Sequence, residues 1–140
     1  MSCHNSVVVQ ASADEVWNVL RDFLDMSWAP EVIEQCEPQG GLPGTQIGAK
    51  RILNGTFQET LVGLDDHART LRYSIDDGPD AVSKDNVQGY IATVQVLPIT
   101  DTGESLVLWT SSWEWSGGGV AQFCNPIYQA LLGQLQKHFR

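Results

Sequence analysis

Arg51 and Glu59 stand on either side of Asn54-Gly55. An arginine offers a planar fork of donors that suits a carboxylate or a carbonyl. A carboxylate taken out of water acquires a raised pKa and can serve as a base. Brought together inside a protein, the two would orient the polar end of a ligand. On a sheet surface or a cavity wall they would form a salt bridge with no chemistry. A two-residue turn at Asn54-Gly55 pairs Arg51 with Gln58 and sends Arg51 and Glu59 to opposite faces. A three-residue loop or a bulge returns them to one face. Tyr73 and Tyr90 each carry a hydroxyl at the tip of an apolar ring, which fits a carbonyl-bearing hydrophobe or a core position with its hydroxyl on backbone or water. Trp109, Trp113 and Trp115 recur at period two with Ser111 between the first two, and Trp28 lies apart. Such a stripe is core in a solid domain and pocket wall in a hollow one.

Other chemistries lack their residues. His4, His67 and His138 are scattered and show no His-Glu-x-x-His spacing. Cys3, Cys36 and Cys124 form no Cys-x-x-Cys, so they read as reduced thiols and no metal site is expected. There is no Gly-x-Ser-x-Gly elbow. Gly40, Gly41 and Gly44 and the run Gly117-Gly118-Gly119 read as turns and not as phosphate loops, so no cofactor is expected. Eight Lys and Arg against seventeen Asp and Glu leave a formal charge of −9. That balance argues against a nucleic-acid binder and against docking on an anionic membrane surface. No apolar run approaches the ~20 residues of a membrane span. Met1 to Gln10 shows no signal segment. The expectation is a soluble, cytoplasmic protein, monomer or homodimer.

The elements that must position these residues follow from periodicity. With 140 residues, 42% hydrophobic and 18% charged, the chain suits one globular domain, residues 1–140. Val7 to Val9 reads as a first strand. Ser12 and Glu15 form a capping box for an amphipathic helix whose stripe is Val16, Trp17, Val19, Leu20, Phe23 and Leu24, ending near Asp25. Met26 to Ala29 suits a second short helix before Pro30. Strands are expected at Val32 to Cys36, Ile47 to Leu53, Thr56 to Leu64, Thr70 to Ile75, Tyr90 to Pro98 and Leu106 to Trp115. After the glycine run, Phe123, Cys124, Ile127, Tyr128, Leu131, Leu132, Leu135 and Phe139 mark a long final helix.

An antiparallel sheet of consecutive hairpins leaves one face for that helix. Alternation then assigns inward sets. They are Val107, Trp109, Ser111, Trp113 and Trp115; Leu71, Tyr73 and Ile75; Tyr90, Ala92, Val94 and Val96; and Phe57, Glu59, Leu61 and Gly63.

The segments Gly48-Ala49-Lys50-Arg51, Glu59-Thr60-Leu61, Leu64-Asp65-Asp66, Leu71-Arg72-Tyr73-Ser74-Ile75, Gly78-Pro79, Tyr90-Ile91-Ala92-Thr93, Val96-Leu97-Pro98 and Val107-Leu108-Trp109-Thr110, in that order, resemble the polyketide cyclase/dehydrase-like branch of the START/helix-grip superfamily. Birch-pollen-allergen-type proteins and plant abscisic-acid receptors share that fold. The resemblance runs from Val7 to Phe139. It implies an α+β helix-grip fold: a curved seven-stranded antiparallel sheet around a long C-terminal helix, two short helices after the first strand, and a ligand cavity between sheet and helix. Family members often carry an Arg and a Glu at the places of Arg51 and Glu59. The short Asn54-Gly55 hairpin and the extended connection from Pro79 to Tyr90 depart from the family pattern and leave ligand size and access route open.

The expected function is binding of a small hydrophobic or amphipathic molecule. The expected lining is Trp28, Arg51, Glu59, Leu61 and Tyr73, then Ile75, Tyr90, Ala92, Val94 and Trp109, then Ser111, Trp113, Phe123, Ile127 and Leu131. The alternative is a cyclase or dehydratase in which Arg51 or a tyrosine stabilises an enolate and Glu59 is the base. A protein-interaction or stress-response module is the third possibility, and it would show an exposed apolar patch instead of a pocket.

Overall fold

The structure, a computed structural model, describes residues 1–140. Seven strands make one antiparallel sheet: β1 (Ser2–Val9), β2 (Cys36–Gln39), β3 (Lys50–Leu53), β4 (Phe57–Asp65), β5 (Thr70–Asp77), β7 (Ile91–Pro98) and β8 (Ser105–Ser112), while β6 (Val87–Gln88) and β9 (Trp115–Ser116) form a separate ribbon. The order across the large sheet is β1-β8-β7-β5-β4-β3-β2, so β1 and β2 are free edges and the sheet is not a closed barrel. Two α-helices, α1 (Ala13–Leu20) and α2 (Val120–His138), complete the domain. The side chains of α2 that face the sheet (Val120, Cys124, Tyr128, Leu131, Leu132 and Leu135) are buried, as the spacing requires. Lys137 and His138 lie in its last turn, where cations complement the helix dipole. No helix is long and apolar enough to cross a membrane.

Ser12 caps α1: the Glu15 N–H donates to its Oγ at 3.2 Å, and its hydroxyl donates to Glu15 Oε1 at 2.9 Å. The helix stops at Leu20, short of the expected Asp25. Side chains and distant backbone take the groups that would continue it. The Leu24 N–H goes to Asp22 Oδ1, the Phe23 N–H goes to the Gly44 carbonyl, and the Phe23 carbonyl is claimed by Arg51. The second helix expected at Met26 to Ala29 is instead a series of turns, with the Ile33 N–H reaching the Ala29 carbonyl at 2.9 Å. Gly44 tolerates no side chain. A Cβ there would lie 1.8 Å from Asp22 Oδ1 and 2.9 Å from the Leu24 nitrogen. Gly44→Ala is therefore expected to cost about 1–3 kcal/mol by overpacking, read as a lowered urea midpoint; an unchanged midpoint would mean the Asp22 turn is dispensable.

Three expected strand boundaries are corrected, the first at Ile47 and Gly48, which form a turn so that β3 begins at Lys50. Val32 to Gln35 is not strand. Asn54 holds it, its Oδ1 accepting from the Glu34 and Gln35 N–H groups and its Nδ2 donating to the Val32 carbonyl. The last long strand ends at Ser112, because the Glu114 N–H turns to the Gln88 carbonyl and the chain joins the small ribbon. Trp115, expected inward, is thereby half exposed. Gly63, also expected inward, faces out. A bulge at Val62 shifts the register, so that Leu61 pairs with Tyr73 but Gly63 pairs with Arg72, whose side chain lies over it.

Asp66 ties α1 to the turn after β4. It accepts from Trp17 Nε1 at 2.8 Å and from Arg21 Nε at 2.9 Å. The Arg21 and Trp17 hydrogen bonds lower its pKa from 3.8 to about 2. A depressed carboxyl pKa stabilises the fold above the unfolded value, and that gain is lost as pH falls through the folded one. The pair is solvent-exposed, so the effect is small. Asp66→Asn is expected to melt slightly below the parent near neutrality, with the difference vanishing as pH falls to about 2. A gap that persists in acid would assign the effect to Trp17 packing.

Candidate functional site

The loop between β3 and β4 decides the site. Asn54 and Gly55, at φ of 51° and 69°, form the tight turn, and the Thr56 N–H closes it on the Leu53 carbonyl at 3.0 Å. Thr56 remains outside the ladder, so Leu53 pairs with Phe57 and Arg51 with Glu59. This is the three-residue case, and both side chains point inward. Each residue is only 4% exposed. Arg51 Nε donates to Glu59 Oε1 at 2.8 Å, and Nη2 lies 2.7 Å from the same oxygen. Arg51 Nη1 donates to the Phe23 carbonyl at 2.7 Å and meets Met26 Sδ at 3.5 Å. The guanidinium also sits 3.7 Å above the Phe23 ring and 5.1 Å from that of Tyr73. The pair thus anchors the turn segment after α1 to the sheet. Burial pushes the Glu59 carboxyl above its usual range, and Arg51 opposes that shift.

Aromatic rings continue the site away from Arg51. Trp109 on β8 packs on Tyr128 of α2 (centroids 5.4 Å apart, 22° between planes) and edge-on to Tyr73 at 6.4 Å. Its Nε1 donates to the Tyr73 hydroxyl at 3.1 Å. The Tyr128 hydroxyl shares a hydrogen bond with that of Tyr90, which also contacts Cys124 Sγ at 3.4 Å. Burial raises the pKa of all three phenols and pushes the Cys124 thiol up to about 11.

Sheet, helix and turns enclose a cavity between them. Its free volume is about 30 Å³, room for about two waters. Thirteen residues line it and eleven are hydrophobic; Arg51 and Glu59 are the charged pair. A second space of about 20 Å³ shares Met26, Arg51, Tyr73 and Trp109 as walls. Seven of the residues expected from sequence border the first cavity: Arg51, Glu59, Tyr73, Ile75, Trp109, Ile127 and Leu131. Trp28 and Val94 border the second. The remaining six border neither. Leu61 and Ala92 are fully buried where the sheet's inner face is packed solid. Tyr90, Ser111 and Trp113 are buried beyond Tyr128. Phe123 is half-buried and stacks on Phe57 at 6.3 Å. Sequence reasoning missed Met26, Ile33, Leu53, Phe57, Cys124 and Tyr128 as lining. Cys124 and Tyr128 lay on the recognised apolar stripe of α2, and helical spacing from Ile127 and Leu131 would have found both.

The chain belongs to the polyketide cyclase/dehydrase and lipid transport family, which matches residues 2–140. Its fold superposes on a protein from Nitrosospira multiformis with a TM-score of 0.96 at 36% identity, covering 100% of this chain and 97% of that one. The protein XoxI of Bacillus cereus matches with a TM-score of 0.81 at 25% identity, over 99% of this chain and 94% of that one. The major latex-like protein 151 of Panax ginseng shares the fold, with a TM-score of 0.76 at 13% identity over 100% of this chain and 97% of that one. No curated protein matches the chain by sequence.

Proposed function

We propose that the chain binds a small apolar or amphipathic molecule between the sheet and α2, with Arg51 and Glu59 orienting its polar end. One observation carries this reading: an ion pair shut away from water stands in the wall of an otherwise apolar cavity. Such a pair is a poor source of stability, so it is better explained by a role toward an occupant. Affinity comes from apolar burial, at about 25 cal/mol per Å². The resting cavity is small, so the occupant displaces side chains as it enters. Met26, unbranched and soft, is the wall residue best able to yield. Native mass spectrometry of the purified protein, followed by denaturation and extraction, tests the reading. A bound mass released on denaturation is expected. A bare chain that also takes up no apolar probe on titration would overturn it.

A proton-transfer enzyme on the same cavity is the second reading, favoured by the burial-raised Glu59 carboxyl. The hydrogen bonds from Arg51 reach Oε1, so Oε2 would take the proton next to a substrate carbonyl, whose developing charge a phenol would stabilise. Glu59→Gln separates the two readings. An enzyme loses turnover while ligand affinity stays within a few-fold; a binder shows no turnover to lose.

A further inference from the structure

Beyond Tyr128 and Cys124, the interior holds hydrogen-bond donors that the protein leaves without acceptors. Trp113 Nε1, which can only donate, has no partner although the residue is 8% exposed. Ser111 Oγ, at 4% exposed, has only the neighbouring Tyr90 hydroxyl, whose own bonds go to Cys124 and Tyr128. Leaving such groups unpaired is costly, and buried polar atoms are nearly always satisfied. Both atoms belong to one cluster. Trp113 lies flat on the Tyr90 ring, with centroids 5.8 Å apart and planes 4° apart. Ser111 is beside the Tyr90 hydroxyl, which in turn meets the hydroxyl of Tyr128, a wall of the cavity. Burial keeps every phenol protonated, so each remains a donor. Tyr73 already accepts from Trp109, which leaves its own proton free for Tyr128 or an occupant. The interior offers no spare positive charge. Arg51 is the one buried cation, and Glu59 neutralises it.

We propose that this cluster, behind the Tyr128 wall of the cavity, is a donor subsite for a single neutral acceptor oxygen of the ligand, such as a ketone, ester or amide carbonyl, and that it rejects carboxylate and phosphate heads. The inference rests on the cavity-binding reading above. The oxygen parts Tyr128 from Tyr90, accepts the Tyr128 proton, and takes a second bond from Ser111, Trp113 or Tyr90. An anionic head would enter the same place with no counter-charge to meet it. The ligand's apolar body then lies along Trp109, and any second polar group it carries reaches the end that Arg51 and Glu59 orient.

Three probes of similar size test this on the intact protein by calorimetric titration: 2-acetonaphthone, 2-ethylnaphthalene and 2-naphthoate. The ketone is expected to bind about tenfold tighter than the hydrocarbon, the worth of one or two neutral hydrogen bonds, and the carboxylate weaker than both. The infrared carbonyl stretch of bound 2-acetonaphthone is expected to move to lower frequency. In Tyr128→Phe the ketone-to-hydrocarbon ratio is expected to fall toward one. Equal ketone and hydrocarbon affinity, or an unshifted carbonyl band, would mean that water alone satisfies these donors; it would overturn the subsite and leave the binding reading standing. Tightest binding of 2-naphthoate would overturn it in favour of charge recognition at Arg51. If none of the three binds, the cavity reading fails and the subsite with it.

Discussion

Arg51→Met alone is expected to destabilise the protein by about 3–5 kcal/mol, while Arg51→Met combined with Glu59→Leu restores much of that loss. The single change leaves a carboxylate 4% exposed without its partner. The double change removes both charges from a site whose other neighbours are apolar or aromatic. It still leaves the Phe23 carbonyl without the Arg51 donor, a penalty of about 1–3 kcal/mol, so recovery is partial. Urea unfolding of the two variants measures the difference. The pH dependence provides an internal check. Burial already raises the Glu59 pKa in the folded state, and loss of Arg51 raises it further. A carboxyl with a raised folded pKa favours folding below its unfolded value and loses that contribution as pH rises through the folded one. The deficit of the single variant should therefore shrink in acid. Equal losses in single and double variants, or a deficit independent of pH, would show that water reaches Glu59 and that the pair is an ordinary surface bridge.

Trp109→Ala is expected to cost about 3–5 kcal/mol and to strengthen the binding of small aromatic molecules. Trp109 is 3% exposed, separates the two interior spaces, and packs on Trp28, Tyr73 and Tyr128. Its removal merges the spaces and leaves the Tyr73 hydroxyl without its donor. Indole added to the variant should raise the melting temperature by filling the gap, and by more than it does in the parent. A variant that melts low and ignores indole would mean the surroundings collapse inward, and that the hollow interior is not a fixed property of the sheet and α2.

The order of elements was legible because hydrophobic period distinguishes strand from helix over long segments. The stripe of α2 and the alternation Val107, Trp109, Ser111 are examples. Local side-chain capture was not legible in that way. Nothing in the period shows that Asn54, chosen for its left-handed turn, also clamps residues 32–35, or that Asp22 and Arg51 take the backbone groups that would have lengthened α1. The facing of Arg51 and Glu59 depended on whether Thr56 joined the ladder, a one-residue matter that composition does not fix. The bulge at Val62 inverted Gly63 for the same reason. Of the cavity wall, the expected lining held the sheet residues Arg51, Glu59, Tyr73, Ile75 and Trp109 but not Leu53 and Phe57. The turn segment's contribution, Met26 and Ile33, was missed, because irregular backbone carries no period to read.

The sheet is completed by joining distant parts of the chain. Strand β1 has a single neighbour, β8, and their register runs from Ser2 opposite Ser112 to Val9 opposite Ser105. The element that covers the inner face, α2, comes later still. On a ribosome, then, the first strand emerges long before anything exists for it to pair with, and the hairpins between stand with an uncovered apolar face until the last helix is released. Such long-range pairing slows folding and exposes nascent chains to association. Shortening α2 by its final turns would be felt first in yield during synthesis and only second in the equilibrium stability of the molecules that succeed.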